Sequence, residues 1–524
     1  MSQMLKSSGA MAAATLTSRV LGMVREMAYA SFMGVGWVTD AFMLAFMVPN
    51  LFRRLLGEGA LTAAFIPAFK EKEKTSTAAE TWRAANAVIW GLLMTTGVIV
   101  VLGVLGITVA LPWVDAQYHA ETHLMLRLLR LMLPYVLLVC LAAVFMGMLN
   151  ARGHFFVPAL GAGMLNIVMI ASVFLITPLM GSTLAERIFG LAIGVLLAGV
   201  VQAGFQLPLL HQEGFRWQWV APWRDETVRL VVRRMIPGTI GVAAFQINVL
   251  LTQGMAFWVG EGIVSSFGYA VRLLELPQGV FGISLAAYLL PTLSGLAAEK
   301  KYDDFRMTLR QGLSYLVFVN LLASVLLFVL AEPMVRLLFE RGQFQPYDTP
   351  RAALALTCLA PGLVLFSTVN ILARAFFALG DTRTPMRISV FCLTLNIGLA
   401  LALVWRFKEG GLGAANSITS GVNAALLLYA LKRKMKKLEL QSLRAILLPL
   451  GIATLAAGVV AWVGTRAWEQ SLGHQTLALK LGAVFVPATV AALIYWLVTV
   501  WLKVPAAKEV SGLLRRKFGA RHQI

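Results

Sequence analysis

The sequence predicts an all-α integral membrane protein with about 14 transmembrane helices, and three observations support this class. Of its 524 residues, 59% are hydrophobic and only 13% are charged, and the mean hydropathy is +0.76. A soluble globular protein is roughly 45–50% apolar and 25% charged. About 14 apolar stretches are long enough for a helix of ~20 residues to cross a ~30 Å hydrocarbon core. The connections between these stretches are alternately rich and poor in lysine and arginine.

The basic connections set the predicted orientation. The predicted spans cover approximately residues 11–33, 38–66, 85–111, 124–150, 158–179, 188–210, 235–258, 264–294, 312–331, 352–379, 386–406, 411–431, 446–464 and 479–502. Lysine and arginine follow the second, fourth, sixth, eighth, tenth and twelfth spans, whereas residues 112–123 contain neither. Because positively charged loops stay on the cytoplasmic side, both termini are predicted to be cytoplasmic.

The sequence contains an internal repeat. ALTAAFIPAF (60–69) resembles SLAAYLLPTL (284–293), and LNARGHFFVP (149–158) resembles FFALGDTRTP (376–385). The offsets are nearly equal, at 284 − 60 = 224 and 376 − 149 = 227 residues, and the tripeptide LNI follows the second match in both halves. These matches indicate two six-span copies that enter the membrane in the same direction, with two further spans after them.

The repeat divides the chain into four predicted parts. Residues 1–224 form an N-lobe with spans 1–6, and residues 225–440 form a C-lobe with spans 7–12. Spans 13 and 14 lie within 441–502. Residues 503–524 form a basic tail that is predicted to be cytoplasmic and is suited to anionic lipid.

Charged residues are concentrated in the first spans of each half. They are Arg19, Arg25 and Glu26 in span 1, Asp40, Arg53, Arg54 and Glu58 in span 2, and Arg272 and Glu275 in span 8. A charge at the bilayer centre costs at least ~2.5–3.5 kcal/mol, so such residues normally face a cavity or a partner.

Helical spacing allows some of these charges to pair. Arg54 with Glu58, Arg272 with Glu275, and Arg19 with Glu26 can each share a helix face. Arg53 lies ~100° around the helix from Arg54 without an obvious partner. Structural and ligand-binding roles therefore both remain open for the paired residues. Guanidinium groups offer a planar fork to phosphate or carboxylate, so the arginines favour an anionic, phosphorylated ligand between the halves.

Several other functions are not favoured by the sequence. No G-x-x-x-x-G-K-[ST] pattern is present, so direct ATP hydrolysis is not expected. The net charge of +20 lies mostly in short loops between apolar runs, which does not favour a nucleic-acid partner. His119 and His123 in HAETH lack the H-E-x-x-H pattern of a zinc helix. The three cysteines show no disulfide or zinc spacing.

Three segments resemble the MurJ/MviN family of lipid II flippases, in the MOP exporter superfamily. They are SRVLGMVRE (18–26), TDAFMLAFMVPNLFRRLLGEGALTAAFIP (39–67) and YAVRLLELPQGVFGISLAAYLLPTLS (269–294). The resemblance covers essentially the whole chain. It implies a V-shaped fold and movement of undecaprenyl-diphosphate-linked disaccharide-pentapeptide to the periplasmic leaflet by alternating access. The implied location is the bacterial inner membrane.

The resemblance also implies roles for individual residues. Ser18, Arg19, Arg25, Arg53, Ser265 and Arg272 would bind the substrate, with the arginines holding the diphosphate and its attached groups. Asp40 and Glu275 would position arginines or form gating pairs. Glu26, Arg54 and Glu58 are added as charge partners because of their spacing. Spans 13 and 14 would form a groove for the polyprenyl tail.

One position and one stretch of the sequence depart from the family pattern. Val271 stands where some relatives have an acidic residue, and residues 387–405 contain none of the carboxylates that hold sodium in some relatives. The sequence therefore does not favour such a sodium site, implies no cofactor, and points to the membrane potential as the energy source. The sequence identifies no protein partner. The implied function makes other proteins of cell-wall synthesis the candidate partners.

Two alternative functions remain. One is another transporter of the same superfamily, either a multidrug antiporter or an exporter of a different lipid-linked oligosaccharide. The other is a membrane enzyme acting on polyprenyl phosphates, which would need a metal-binding acidic cluster. Its nearest candidate is Asp303-Asp304, flanked by Lys300, Lys301 and Arg306, and this stretch is typical of a solvated helix start.

Overall fold

The structure, a computed structural model, describes residues 2–57, 60–115, 119–435 and 440–508. Over these residues the chain forms 19 α-helices with short 3-10 and π segments and no β-strand. The described residues divide into two compact units. Unit 1 takes those within Met1–Ser265 and Arg341–Phe344, and unit 2 takes those within Ser266–Glu340 and Gln345–Ile524.

Unit 1 contains ten complete helices. They are α1 (Ser2–Met33), α2 (Trp37–Phe52), α3 (Ala60–Thr75), α4 (Ala78–Ala110), α5 (Ala120–Met132), α6 (Tyr135–Ala151), α7 (Phe156–Leu175), α8 (Leu184–Gly204), α9 (Leu207–Gln212) and α10 (Glu226–Val259). The first residues of α11 (Ile263–Pro277) also belong to unit 1. The predicted lobe boundary between residues 224 and 225 came from the repeat rather than from packing, and it stays a prediction.

Unit 2 contains the rest of α11 and the remaining helices. They are α12 (Ser284–Ala298), α13 (Tyr302–Val329), α14 (Ala331–Phe339), α15 (Thr349–Leu359), α16 (Gly362–Ala378), α17 (Arg383–Met435), α18 (Leu440–Ser471) and α19 (Leu477–Trp501).

The helices confirm a multi-pass membrane protein. Among the described residues, seven helices are long and apolar enough to cross a membrane, or nine if each of two bent pairs counts as one span. Each of the 14 predicted stretches falls largely on helix. The number that passes on length and composition is lower, since the helices of predicted spans 1, 2, 7 and 8 are not among those that pass. The 53-residue helix α17 also covers two predicted spans.

The helix α17 is a hairpin of two helices. A straight helix of 53 residues would be about 80 Å long. Its backbone leaves the helical conformation at Lys408 (φ 47°, ψ −127°). Near the end of α17, Lys434 Nζ lies 2.6 Å from Oδ2 of Asp381, which comes two residues before α17 begins. This hydrogen bond, together with the Thr384 N–H at the start of α17, lowers the pKa of Asp381 to about 2. The predicted spans 11 and 12 are therefore antiparallel neighbours.

The same helix interruptions occur in both halves of the chain. A π-helical turn follows α2 at Arg53–Gly57, and another follows Pro277 at Gln278–Ile283. The pairs α5/α6 and α15/α16 both bend by 42°, at Pro134 and Pro361 respectively. Proline lacks the N–H of the helical ladder and clashes with the preceding turn, which explains the bends.

Glycine spacing lets α8 pack closely against α7 and the 3-10 turn that follows α7 in unit 1. Gly190 and Gly194 lie one turn apart on α8, as in the small-xxx-small pattern of membrane helices. A Cβ at Gly190 would come within 2.8 Å of Thr177 Cα, and one at Gly194 within 2.4 Å of Ser172 Oγ. Since hydrocarbon offers no hydrophobic drive between helices, this close packing supplies much of the attraction.

Candidate functional site

The first part of the candidate site is a buried cluster around Arg25 on α1. Arg25 Nη2 lies 2.5 Å from Glu26 Oε1, and its Nη1 donates to Asn166 Oδ1 at 3.0 Å. The guanidinium also lies 5.4 Å from the centre of the Tyr29 ring. The side chains of Arg25 and Glu26 are only 14% and 6% exposed. Glu26 thus neutralises Arg25. The pairing of Arg19 with Glu26 stays a prediction.

Asn166 on α7 is a residue of this cluster that the sequence analysis did not identify. Its Oδ1 accepts from Arg25, and its Nδ2 donates to the carbonyl of Ser18 at 3.0 Å. The Asn166 amide therefore orients Arg25 and also hydrogen-bonds the backbone at Ser18, where the charged stretch of α1 begins. The available signal was the LNI tripeptide, which contains Asn166 in the first half and Asn396 in the second.

Replacing Asn166 by Leu is expected to lower the unfolding temperature of the purified protein. The change leaves a buried guanidinium N–H without its acceptor, and a hydrogen bond to a charged group contributes ~1.5–3 kcal/mol. The measurement is thermal unfolding in detergent. Asn396→Leu is the matched control, because Asn396 is equally buried and holds the same place in the LNI tripeptide of the second half. An unchanged unfolding temperature for Asn166→Leu would contradict the bracing role.

Asp40 on α2 caps α11 within unit 1. The carboxylate is 1% exposed, and it accepts from the N–H of Gly262 on Oδ2 at 2.6 Å and from that of Ser265 on Oδ1 at 2.7 Å. A negative charge at the N-terminus of a helix is stabilised by the helix dipole. Ser265 is fully buried, and its hydroxyl lies 3.4 Å from the carbonyl of Gly262.

The π turn after α2 changes how Arg53 and Arg54 are held. Arg53 Nε donates to Asn50 Oδ1 at 2.9 Å, a partner that the sequence analysis did not identify. Arg54 Nη1 lies 3.4 Å from Gln246 Oε1 on α10. Its predicted partner Glu58 lies outside the described residues. The wider turn of a π segment breaks the 100° spacing on which the sequence prediction relied.

The remaining predicted residues lie on α1 and α11. Arg19 and Ser18 are half-buried on α1. In unit 2, Arg272 and Glu275 of α11 form an ion pair at 2.8 Å, with side chains 41% and 46% exposed. This pair confirms the spacing argument. Whether these residues bind a substrate stays a prediction.

The fold is similar to that of solved membrane transporters. A solved structure titled "Lipid II flippase MurJ, inward closed conformation" matches with a TM-score of 0.76 and 22% identity, over 94% of this chain and 98% of that one. An inward-facing multidrug resistance MATE transporter of the MOP superfamily matches with a TM-score of 0.64 and 17% identity, over 80% and 95% of the two chains. The chain therefore has the fold of MOP-type transporters.

Sequence comparison identifies the particular family. The family model described as "Lipid II flippase MurJ" matches residues 29–482. The probable lipid II flippase MurJ of Bdellovibrio bacteriovorus is 33% identical over 501 residues, which is 94% of each chain. That of Vibrio cholerae is 35% identical over 441 residues, covering 81% of this chain and 82% of its own. The chain belongs to the MurJ family.

Proposed function

We propose that this protein is a lipid II flippase, a transporter and not an enzyme. It would move the undecaprenyl-diphosphate-linked peptidoglycan precursor from the cytoplasmic to the periplasmic leaflet of a bacterial inner membrane by alternating access. The observation that carries the proposal is the family relationship, which extends over 94% of the chain in the Bdellovibrio relative. The embedded arginines support the anionic character of the substrate.

The arrangement of the charges suggests how a diphosphate would be held. Arg25 is already neutralised by Glu26 and fixed by Asn166, so it presents a pre-oriented guanidinium rather than a free charge. Arg19, Arg53 and Arg272 would supply the further positive charge. Bound anion relieves the repulsion among these arginines, and a ligand shifts a conformational equilibrium only through its differential affinity for the two states.

The proposed membrane architecture has 14 crossing helices arranged as 6 + 6 + 2, with both termini cytoplasmic. The paired π turns, the two 42° bends and the α17 hairpin support this count and the repeat. Residues 1–224 and 225–440 would form the two lobes. Residues 441–502, which cover most of α18 and all of α19, would form the groove for the polyprenyl tail, followed by the basic tail 503–524.

We infer that the membrane potential resets the transporter. After substrate leaves, the crowded positive charge would favour return to the inward state, aided by an inside-negative potential worth ~2.3 kcal/mol per charge per 100 mV. A sodium site using carboxylates is not proposed, because residues 387–405 contain none. No nucleotide is proposed as the energy source, because the P-loop pattern is missing from the sequence.

The second candidate function is a transporter of the same fold with a different substrate. The MATE similarity favours this class, but a carrier of cationic drugs would be expected to have carboxylates and aromatic residues in place of the arginines. Another lipid-linked glycan would carry the same diphosphate group, so a flippase for it would use the same arginines. The polyprenyl phosphate enzyme is not supported by the family relationship.

The test is complementation of cells depleted of their own lipid II flippase. Wild type is expected to restore growth, and Arg19→Ala, Arg25→Ala, Arg53→Ala and Arg272→Ala are expected to lose it at normal membrane expression. Arg83→Ala is the control, because Arg83 is an exposed residue outside the predicted spans. No rescue by well-expressed wild type would favour a different lipid-linked glycan. Rescue by all four arginine variants would make those residues structural.

A further inference from the structure

The last two helices of the described chain, α18 and α19, pack against α13 within unit 2. Ala453, Ala457 and Ala461 of α18 are fully buried at four-residue intervals, in one hydrophobic cluster with residues of α13 and α19. A Cβ at Gly458 of α18 would lie 2.9 Å from Val325 Cγ2 of α13. Because hydrocarbon offers no hydrophobic drive between helices, small residues that allow such close approach favour the contact.

A buried hydrogen bond joins α19 to α13. The Tyr495 hydroxyl donates to the carbonyl of Phe318 at 2.7 Å, and Tyr495 is 1% exposed. A carbonyl has a second lone pair, so Phe318 can accept this bond without leaving its own helix. Val504 and Ala507, which follow α19, are also buried in the same cluster. The contact therefore continues beyond the end of α19.

Two ion pairs join the other ends of α18 and α19 to α14. Arg336 Nη1 of α14 lies 2.5 Å from Glu469 Oε1, in the last turn of α18. Lys480 Nζ, in the first turn of α19, lies 3.1 Å from Oε1 of Glu340, which directly follows α14. The Arg336 and Glu340 side chains are only 10% and 13% exposed. Helix α14 thus holds both helices near the connection between them.

The same charged groups make further contacts that fix their positions. Arg336 Nη2 lies 2.6 Å from Glu332 Oε1 on its own helix, and Glu340 Oε2 accepts from Thr349 Oγ1 at 2.8 Å. Removing one partner of a largely buried ion pair leaves a charge that nothing compensates, which is strongly unfavourable. Separation of α18 or α19 from α14 is therefore disfavoured.

We propose that α18 and α19 stay attached to α13 and α14 throughout the transport cycle, with Arg336 and Lys480 as positioning residues. The inference rests on the proposed function, in which α18 and α19 form the groove for the polyprenyl tail. The groove then moves as one body with α13 and α14, and it carries the tail with it. A groove that slid along α13 would have to break the Tyr495 hydrogen bond and both ion pairs in every cycle.

The test is a disulfide between α13 and α18, formed by Val325→Cys with Gly458→Cys. The Cβ at Gly458 meets an atom one bond from Val325 Cβ, so the two Cβ atoms lie near the ~3.8 Å separation of a disulfide. The native Cys140, Cys358 and Cys392 are replaced by Ala, and this chain without the new pair is the control for the oxidant. Lipid II flipping in proteoliposomes is expected at the same rate in the oxidised and reduced protein. Loss of flipping on oxidation that reduction restores would overturn the proposal, as would failure of the disulfide to form.

The length of the lipid tail separates a positioning role of Arg336 from a merely stabilising one. Arg336→Met is expected to slow flipping of the full-length undecaprenyl substrate more than that of a short-tailed analogue, because only the long tail needs the groove. Arg336→Lys keeps the charge and should restore part of the rate. Arg306→Met is the matched control, since Arg306 pairs with Asp303 on α13 itself and should affect both substrates alike. Equal slowing of both substrates by Arg336→Met would overturn the positioning role.

Spin labels on α13 and α19 measure the attachment without a transport assay. Met307→Cys and Leu497→Cys provide the labelling sites, because both side chains are exposed. We expect one narrow distance distribution that lipid II leaves unchanged, and a second distance would overturn the proposal. If the reduced disulfide protein flips no lipid II while this distance stays single, the proposed function fails and the attachment stands.

Discussion

Replacing Asp40 by Ala is expected to destabilise the protein by roughly 3–5 kcal/mol and to abolish transport. The N–H groups of Gly262 and Ser265 would lose their acceptor in a site where Asp40 is 1% exposed. A buried unpaired donor costs about 1–3 kcal/mol, and the helix would also lose its favourable negative cap. Because α11 carries Arg272, a displaced helix start would also disturb a predicted substrate residue. Thermal unfolding in detergent and growth rescue measure the two effects.

Two further variants separate the cap from the charge. Asp40→Asn is expected to be nearly as harmful as Ala, because each carboxylate oxygen accepts a separate N–H and an amide nitrogen cannot accept. Asp225→Ala is the matched control, since Asp225 also caps a helix but is less buried, and we expect a loss of ~0.5–2 kcal/mol. An Asp40→Ala protein that unfolds at the wild-type temperature would show that the cap is dispensable.

Sequence analysis predicted the properties that depend on composition and local spacing. The all-helical membrane class follows from the apolar content, and the Arg272–Glu275 pair follows from an i, i+3 spacing within one helix. The π turn at Arg53–Gly57 was not predicted, because a regular helix was assumed through Pro49 and the residues after it. That assumption also misplaced Arg53, which reaches back to Asn50.

Contacts between distant parts of the chain were beyond sequence reasoning. Asn166 lies 141 residues from Arg25, and Ser265 lies 225 residues from Asp40. Neither partner stands out locally, because asparagine and serine are ordinary residues of membrane helices, which use them to hydrogen-bond one another. The family resemblance pointed to Ser265 as a substrate residue. In the structure, the backbone N–H of Ser265 donates to Asp40 at the start of α11, and the Ser265 side chain is fully buried.

The second large effect is expected at the contact between residues 31–34 and the segment Arg341–Phe344, both in unit 1. Gln343 N–H donates to the carbonyl of Ser31 at 2.9 Å, and Gly342 has φ +60°. A Cβ at Gly342 would lie 2.2 Å from the Ser31 carbonyl oxygen, and backbone cannot rotate away as a side chain can. Gly342→Ala is expected to cost roughly 3 kcal/mol from strain and overlap, measured by thermal unfolding.

The control for this prediction isolates the overlap from the backbone strain. Gly473 also has a left-handed backbone, with φ +70°, but a Cβ there would meet nothing within 4 Å. Gly473→Ala therefore carries only the ~1–2 kcal/mol of the left-handed conformation. Gly34→Ala tests the contact from its other side, because its Cβ would come 2.4 Å from the Gln343 carbonyl oxygen at φ +57°. If Gly342→Ala and Gly473→Ala lose equal stability, the backbone around Ser31 and Gly342 can move apart without lowering the free energy of unfolding. A larger loss at both Gly34 and Gly342 would mean that the close backbone approach itself stabilises unit 1, which gains this segment from the second half of the chain.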